Sequence, residues 1–141
     1  MAAVDSKLEL LKSVSLFSSM RRKDLEAVGR LADTLDLPAG KELMRQGAHG
    51  NEMYVIASGS VSVERDGKEI ATMGAGQAVG EMALLSEGPR TATVTTLEPT
   101  TAFVVGHREF HTLLADSAEL RQCIFDNLAK RIQMVDEGGA P

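Results

Sequence analysis

From Gly40 to Val105 the chain is cut into short apolar runs by glycine-containing turns, which restricts this stretch to an antiparallel β architecture. Leu43-Met44 runs into a turn at Gln46-Gly47. Met53-Tyr54-Val55-Ile56 is a compact apolar run and reads as a core strand. Val61 and Val63 alternate with Ser60, Ser62 and Glu64, the pattern of a strand with one buried face. Asp66-Gly67 is a two-residue hairpin signal, with Ile70 and Met73 beyond it, and Gly74-Ala75-Gly76 marks a further turn. Thr91 to Thr96 and Thr101 to Val105 are rich in β-branched residues and read as two more strands. Strands this short and this evenly spaced predict a closed antiparallel barrel or jelly roll over about 40–105.

Helical patterns flank this region, over about 7–36 and 107–135. Leu8, Leu11 and Val14 have helical spacing. Leu25, Val28, Ala32 and Leu35 continue it in a second helix, capped by the Ser18-Ser19 pair and stopped before Pro38. After His107, Phe110, Leu113 and Leu114 mark a short helix. Asp116 and Glu119 then form a capping-box-like start to a last helix, whose stripe carries Leu120, Ile124, Phe125, Leu128, Ile132 and Val135. The tail, 136–141, is expected to fray. The whole of 1–141 reads as one domain, mainly β with N-terminal helices and two C-terminal helices.

Bulk properties exclude several function classes. With 43% apolar and 25% charged residues, disorder is not expected. No apolar run approaches a membrane span, and the first residues lack a signal-peptide pattern. The single Cys123 excludes an intrachain disulfide and a cysteine-based zinc cluster, so a reducing cytoplasm is the expected setting. A net charge of −5 argues against non-specific binding to nucleic acid or acidic membrane. Arg21-Arg22-Lys23 is too short for a nucleic-acid patch and reads as a solvated helix start.

The chemistry concentrates in Gly80-Glu81-Met82-Ala83-Leu84-Leu85 and the following Pro89-Arg90-Thr91-Ala92-Thr93-Val94. Gly80 lets backbone approach a ligand without a Cβ in the way. Residues 81 to 85 contain no glycine or proline and suit a single helical turn, whose first N–H groups attract an anion. Arg90, at the entry to a strand, adds a charged fork for phosphate oxygens. Glu81 accepts hydrogen bonds only, which fits a sugar hydroxyl. Arg90 can instead pair at the surface with Glu87 or Glu98, and Glu81 with Arg90.

At these residues the sequence resembles the cyclic nucleotide-binding domain family, whose phosphate-binding cassette reads Gly-Glu-x-Ala-Leu-Leu, a short loop, then Pro-Arg-Thr/Ala-Ala-Thr-Val. The resemblance extends from about Leu11 to about Ile132. It implies phosphate contacts from Arg90 and from the backbone N–H groups of Ala83 and Thr91, beside Gly80 and Met82, with Glu81 on the ribose. Val63, Ala71, Met73 and Val79 would line the base side, a role that overlaps with plain barrel core. Thr91 permits cyclic GMP without requiring it, and its choice as a strand former explains it equally well. Cyclic AMP is placed ahead of cyclic GMP as the ligand. In the family the last helix closes over the base as a lid. Phe125, Leu128 and Ile132 are candidates for the cap, and the sequence does not choose among them.

The resemblance implies a regulatory sensor and not an enzyme, with no cofactor beyond its ligand. Its effector protein or domain is not named by the sequence. No helix-turn-helix, kinase, channel or transporter segment reads in this chain, and the last helix can pair with a copy of itself in a homodimer. The alternatives are an interaction module of the same fold with a disused pocket, and a metal-dependent cupin-like enzyme. His107 and His111 are four apart, yet with Glu109 they give HxExH rather than a zinc-protease motif, and His49 is the sole other histidine. No metal site is expected. Gly74, Gly76 and Gly80 lack dinucleotide-loop spacing, and Ser58-Gly59-Ser60 is no nucleophile elbow.

Overall fold

A computed structural model describes residues 2–85 and 88–136. Helices α1 (Ala2–Lys12) and α2 (Arg22–Leu31) flank a 3-10 turn, Ser15–Phe17. Ten strands follow: β1 Asp33–Leu37, β2 Glu42–Met44, β3 His49–Gly50, β4 Glu52–Ser58, β5 Ser60–Arg65, β6 Lys68–Gly74, β7 Ala78–Val79, β8 Gly88–Pro89, β9 Thr93–Thr96 and β10 Thr100–Gly106. A second 3-10 turn, Glu81–Leu84, lies between β7 and β8. Helices α3 (His107–Asp116) and α4 (Ala118–Asp136) end the described chain.

Among the described residues all strand pairs are antiparallel. They make a jelly roll of two four-stranded sheets, ordered β1-β10-β4-β7 and β2-β9-β5-β6, with a ribbon of β3 and β8. The described strands are thus three separate sheets and not one closed barrel. Strand β4 explains why its apolar run is continuous. Met53 and Val55 face the helices, packing with Leu11, Phe17, Phe110 and Leu120, while Tyr54 and Ile56 face the space between the sheets with Val61, Val63 and Val94. A strand buried on both faces cannot alternate in polarity. Between β5 and β6 the hairpin turns at Asp66-Gly67, both with positive φ (54° and 80°), as the two-residue signal predicts.

Several sequence expectations are corrected. Helix α1 starts at Ala2, ahead of the expected start near 7, and α2 ends at Leu31, well short of 36. Leu35 lies on β1, paired with Ala102 of β10, so the sheets begin at Asp33 and not near 40. Ladder pairing to β10 overrides a helical spacing that continued by coincidence. Ser18 and Ser19 do not cap α2: its N-cap is Arg21, without a side-chain bond. Ser19 instead donates to Asn127 Oδ1 (2.9 Å), and buried Asn127 donates to the Leu16 carbonyl (2.9 Å), tying α4 to the first 3-10 turn. Asp116 closes α3, and Ser117 caps α4 by accepting from the Leu120 N–H (3.1 Å). Strand β9 starts at Thr93, leaving Arg90 to Ala92 between two strands. Glu87 and the tail 137–141 fall outside the described residues.

Candidate functional site

The second 3-10 turn opens at Gly80, whose φ of 77° is the left-handed conformation that glycine adopts without a Cβ penalty. The turn is held at both ends. Val79 pairs with Tyr54 on β4, and buried Leu84 joins the helical core. Its last carbonyls meet α3: His107 Nδ1 lies 2.7 Å from the Ala83 oxygen and His111 Nε2 lies 2.8 Å from the Leu84 oxygen. Carbonyls only accept, so each ring carries its proton on that nitrogen. The two rings stack 4.1 Å apart. From the sequence these histidines suggest only a metal pair; in the fold they fasten the turn to α3. Among the described residues no group of three metal-ligating side chains converges.

Arg90 is positioned by a second, long-range device. Its N–H donates to Ala48 and its carbonyl accepts from Gly47, both at 2.8 Å, locking it against the 45–48 turn. The β3–β8 ribbon, pairing Gly50 with Gly88, then brings Gly50 beneath its side chain. A Cβ on Gly50 would overlap the Arg90 guanidinium, reaching Cζ at 2.6 Å, and one on Gly80 would come within 2.8 Å of Nη1. The guanidinium therefore lies in a slot between two glycines. Its Nη2 donates to the Glu52 carbonyl (2.8 Å). Nearby, the buried Tyr54 hydroxyl sits 3.4 Å from Glu52 Oε1. Its pKa is raised, first by burial and then by the Glu52 charge, with Arg90 pulling the other way.

Slot and turn open onto a cavity of about 350 Å³. Gly80, Met82, Ala83, Arg90 and Thr91 are on its wall. So are the apolar Val63, Met73 and Val79, with Met44 and Val94. Of the residues expected from the sequence, Glu81 and Ala71 are not on the wall. Glu81 Oε1 instead accepts from Ser15 Oγ at 3.5 Å, toward the N-terminal helices. Ala71 packs behind, on the intersheet core. The Ala83 N–H is bonded to the Gly80 carbonyl (3.0 Å). Glu98, offered as a partner for Arg90, accepts from Ser60 Oγ (2.6 Å). In α4, Leu128 packs on the helical core and Phe125 is 66% exposed; neither lines the cavity. The side chain of Ile132 is outside the described residues. Sequence reasoning missed Gly50, Met44 and Arg65. Arg65 lines the cavity and donates from Nε to the Thr91 carbonyl (3.1 Å). Its signal was the two-residue period Val61, Val63, Arg65.

The sequence pattern of the cyclic nucleotide-binding domain matches residues 34–117, which take in the cassette and most of both sheets. The chain belongs to the cyclic nucleotide-binding domain family. A cAMP-dependent protein kinase regulatory subunit from Yarrowia lipolytica is 28% identical over 93% of the domain chain and 36% of its own length. A cGMP-dependent protein kinase from Drosophila melanogaster, isozyme 2 forms cD4/T1/T3A/T3B, is 27% identical over 88% of this chain and 12% of its own. The domain chain thus spans well under two thirds of these relatives. Among solved structures, the N-terminal domain of a transcriptional regulator from Streptomyces coelicolor A3(2) superposes with a TM-score of 0.86 at 26% identity, covering 94% of this chain and 98% of that one. The regulatory domain of Toxoplasma gondii PKA, crystallised with cAMP, gives 0.76 at 29% identity over 96% and 54%. No described helix of the domain is long and apolar enough to cross a membrane.

Proposed function

We propose that the domain binds a 3′,5′-cyclic nucleotide as a regulatory signal and carries out no chemistry on it. The observation that supports this best is the Arg90 guanidinium lying between Gly50 and Gly80 on the cavity wall. A cyclic phosphate carries one negative charge, which a two-pronged donor in a partly desolvated slot holds well. The phosphate takes the place of the Glu52 carbonyl at Nη2 and meets the first N–H groups of the 81–84 turn. Ala83 and Thr91 add N–H donors once the Ala83–Gly80 bond opens. Glu81 leaves Ser15 to hold the ribose, and the apolar wall at Val63, Met73 and Val79 takes the base. Ala71 backs that wall from the core.

Closure then follows from the fastening of the turn to α3, which carries α4 with it. Of the two cap candidates with described side chains, Phe125 is the one available, because Leu128 is already engaged in the core. A ligand shifts this equilibrium only by its differential affinity for the two arrangements. The relatives named for cAMP and for cGMP leave the base open, and the effector, a homodimer and a cytoplasmic setting remain part of this proposal. Isothermal titration of the domain with cyclic AMP and cyclic GMP tests it; absence of binding to both, in nucleotide-free protein, refutes it. A disused pocket in an interaction module is the second reading, favoured by the bond of Glu81 to Ser15.

A further inference from the structure

We infer that Arg65 reads the base and gives this pocket a preference for a guanine-type, 6-oxopurine cyclic nucleotide; the inference rests on the nucleotide reading above. Strand β5 turns Val61, Val63 and Arg65 to one side, and the last two line the cavity. Val63 belongs to the apolar wall, so Arg65 stands at the outer end of the surface that takes the flat face of a base. It does not dangle there. Its Nε is fixed on the Thr91 carbonyl, one residue from Arg90. That bond uses one of five donors, and the terminal nitrogens have no other partner among the described residues.

A guanidinium offers donors only and keeps its charge. Whatever ligand edge reaches it must therefore accept. With the phosphate held at Arg90, the base is the part of a cyclic nucleotide whose acceptors a fork on the Val63 strand can read. Guanine presents two together, O6 and N7, the pair that arginine reads bidentately. Adenine presents N7 beside an amino group, which would point donors at donors. The rest of the lining deepens the difference. Among the described residues it holds no carboxylate or amide side chain, so Thr91 Oγ1 is the sole side-chain oxygen open to an adenine amino group. Thr91, able to donate or accept, tolerates both bases. The discriminating group is Arg65, and it reverses the sequence expectation that places cyclic AMP first.

The test is calorimetric titration of the domain, of Arg65→Ala and of Arg65→Lys with cyclic GMP, cyclic IMP and cyclic AMP. Cyclic IMP keeps O6 and lacks the 2-amino group, isolating the edge that Arg65 reads. The domain should bind both 6-oxopurines on the order of tenfold more tightly than cyclic AMP, the lower part of the range for a bidentate arginine–guanine pair because Arg65 is exposed. Arg65→Ala should weaken both 6-oxopurines much more than cyclic AMP and so remove that difference. Arg65→Lys, lacking the anchored fork, should restore little of it. Equal weakening of all three ligands by Arg65→Ala would reduce Arg65 to a support for Thr91 and overturn the assignment. So would a preference of the unmodified domain for cyclic AMP. Binding without base preference sinks the Arg65 assignment alone; no binding of any of the three sinks the nucleotide reading with it.

Discussion

Substituting Gly50 by Ala isolates the placement of Arg90 from its charge. Gly50 is not in a positive-φ conformation, so alanine introduces no backbone strain there. Its Cβ would occupy space now held by the Arg90 guanidinium, with Cζ at 2.6 Å and Nη2 at 2.7 Å. The obstacle is the far end of a flexible side chain, so Arg90 swings out and the backbone stays. The folded domain loses the Nη2 bond to the Glu52 carbonyl, worth about 1 kcal/mol net, and Arg90 regains water. For a chain of this size that is a melting shift of a few degrees. The ligand loses much more. Removing one partner of a close charge pair costs about 2–5 kcal/mol, which is about 30-fold to a few thousand-fold in affinity. Thermal melting and titration with cyclic GMP on the same samples separate the two effects. Near-native melting with affinity close to that of Arg90→Ala is expected. Native affinity in Gly50→Ala would refute the claim that the slot positions the phosphate ligand.

Arg90→Ala should lose the melting shift that ligand at about a hundred times its dissociation constant gives the unmodified domain, roughly 2.7 kcal/mol, and a retained shift counts against the phosphate role. Phe110→Ala should destabilise by about 3–5 kcal/mol in denaturant titration, because the ring is fully buried and meets Phe17 at 5.7 Å between centroids. Phe125→Ala, at an exposed site, should leave melting of the empty domain unchanged and weaken nucleotide binding severalfold if α4 is the lid; unchanged affinity assigns the cap elsewhere. Tyr54 has a folded pKa above its unfolded value, so the neutral phenol stabilises the fold fully below about pH 10. That stability is lost as pH rises from there through the folded pKa, and Tyr54→Phe should flatten this part of the alkaline melting profile.

The cassette was legible because its parts lie close together in the chain: Gly80 and Arg90 are ten residues apart, and the turn between them forms locally. Strand β4 and the hairpin at Asp66-Gly67 were legible for the same reason. Leu35 was not, because its distance from Leu25, Val28 and Ala32 fits a helix, while its true partner, Ala102, is remote in sequence. Gly50 and Arg65 were hidden likewise. The β3–β8 ribbon brings one of them to Arg90, and the β5–β9 pairing brings the other beside Thr91. Gly50 shows no local motif, and Arg65 shows only the two-residue period it shares with Val61 and Val63. Ser117 against Asp116 is a subtler failure: both are good capping types, and only the break between α3 and α4 tells them apart.

The two stacked histidines make the 81–84 turn and the first turns of α3 one mechanical piece. Anything that draws the turn inward must pull α3 along its length instead of loosening it. In the closure proposed above, the output is a travel of helices, like that of a rod pinned at two points, with its stroke set at Ala83 and Leu84.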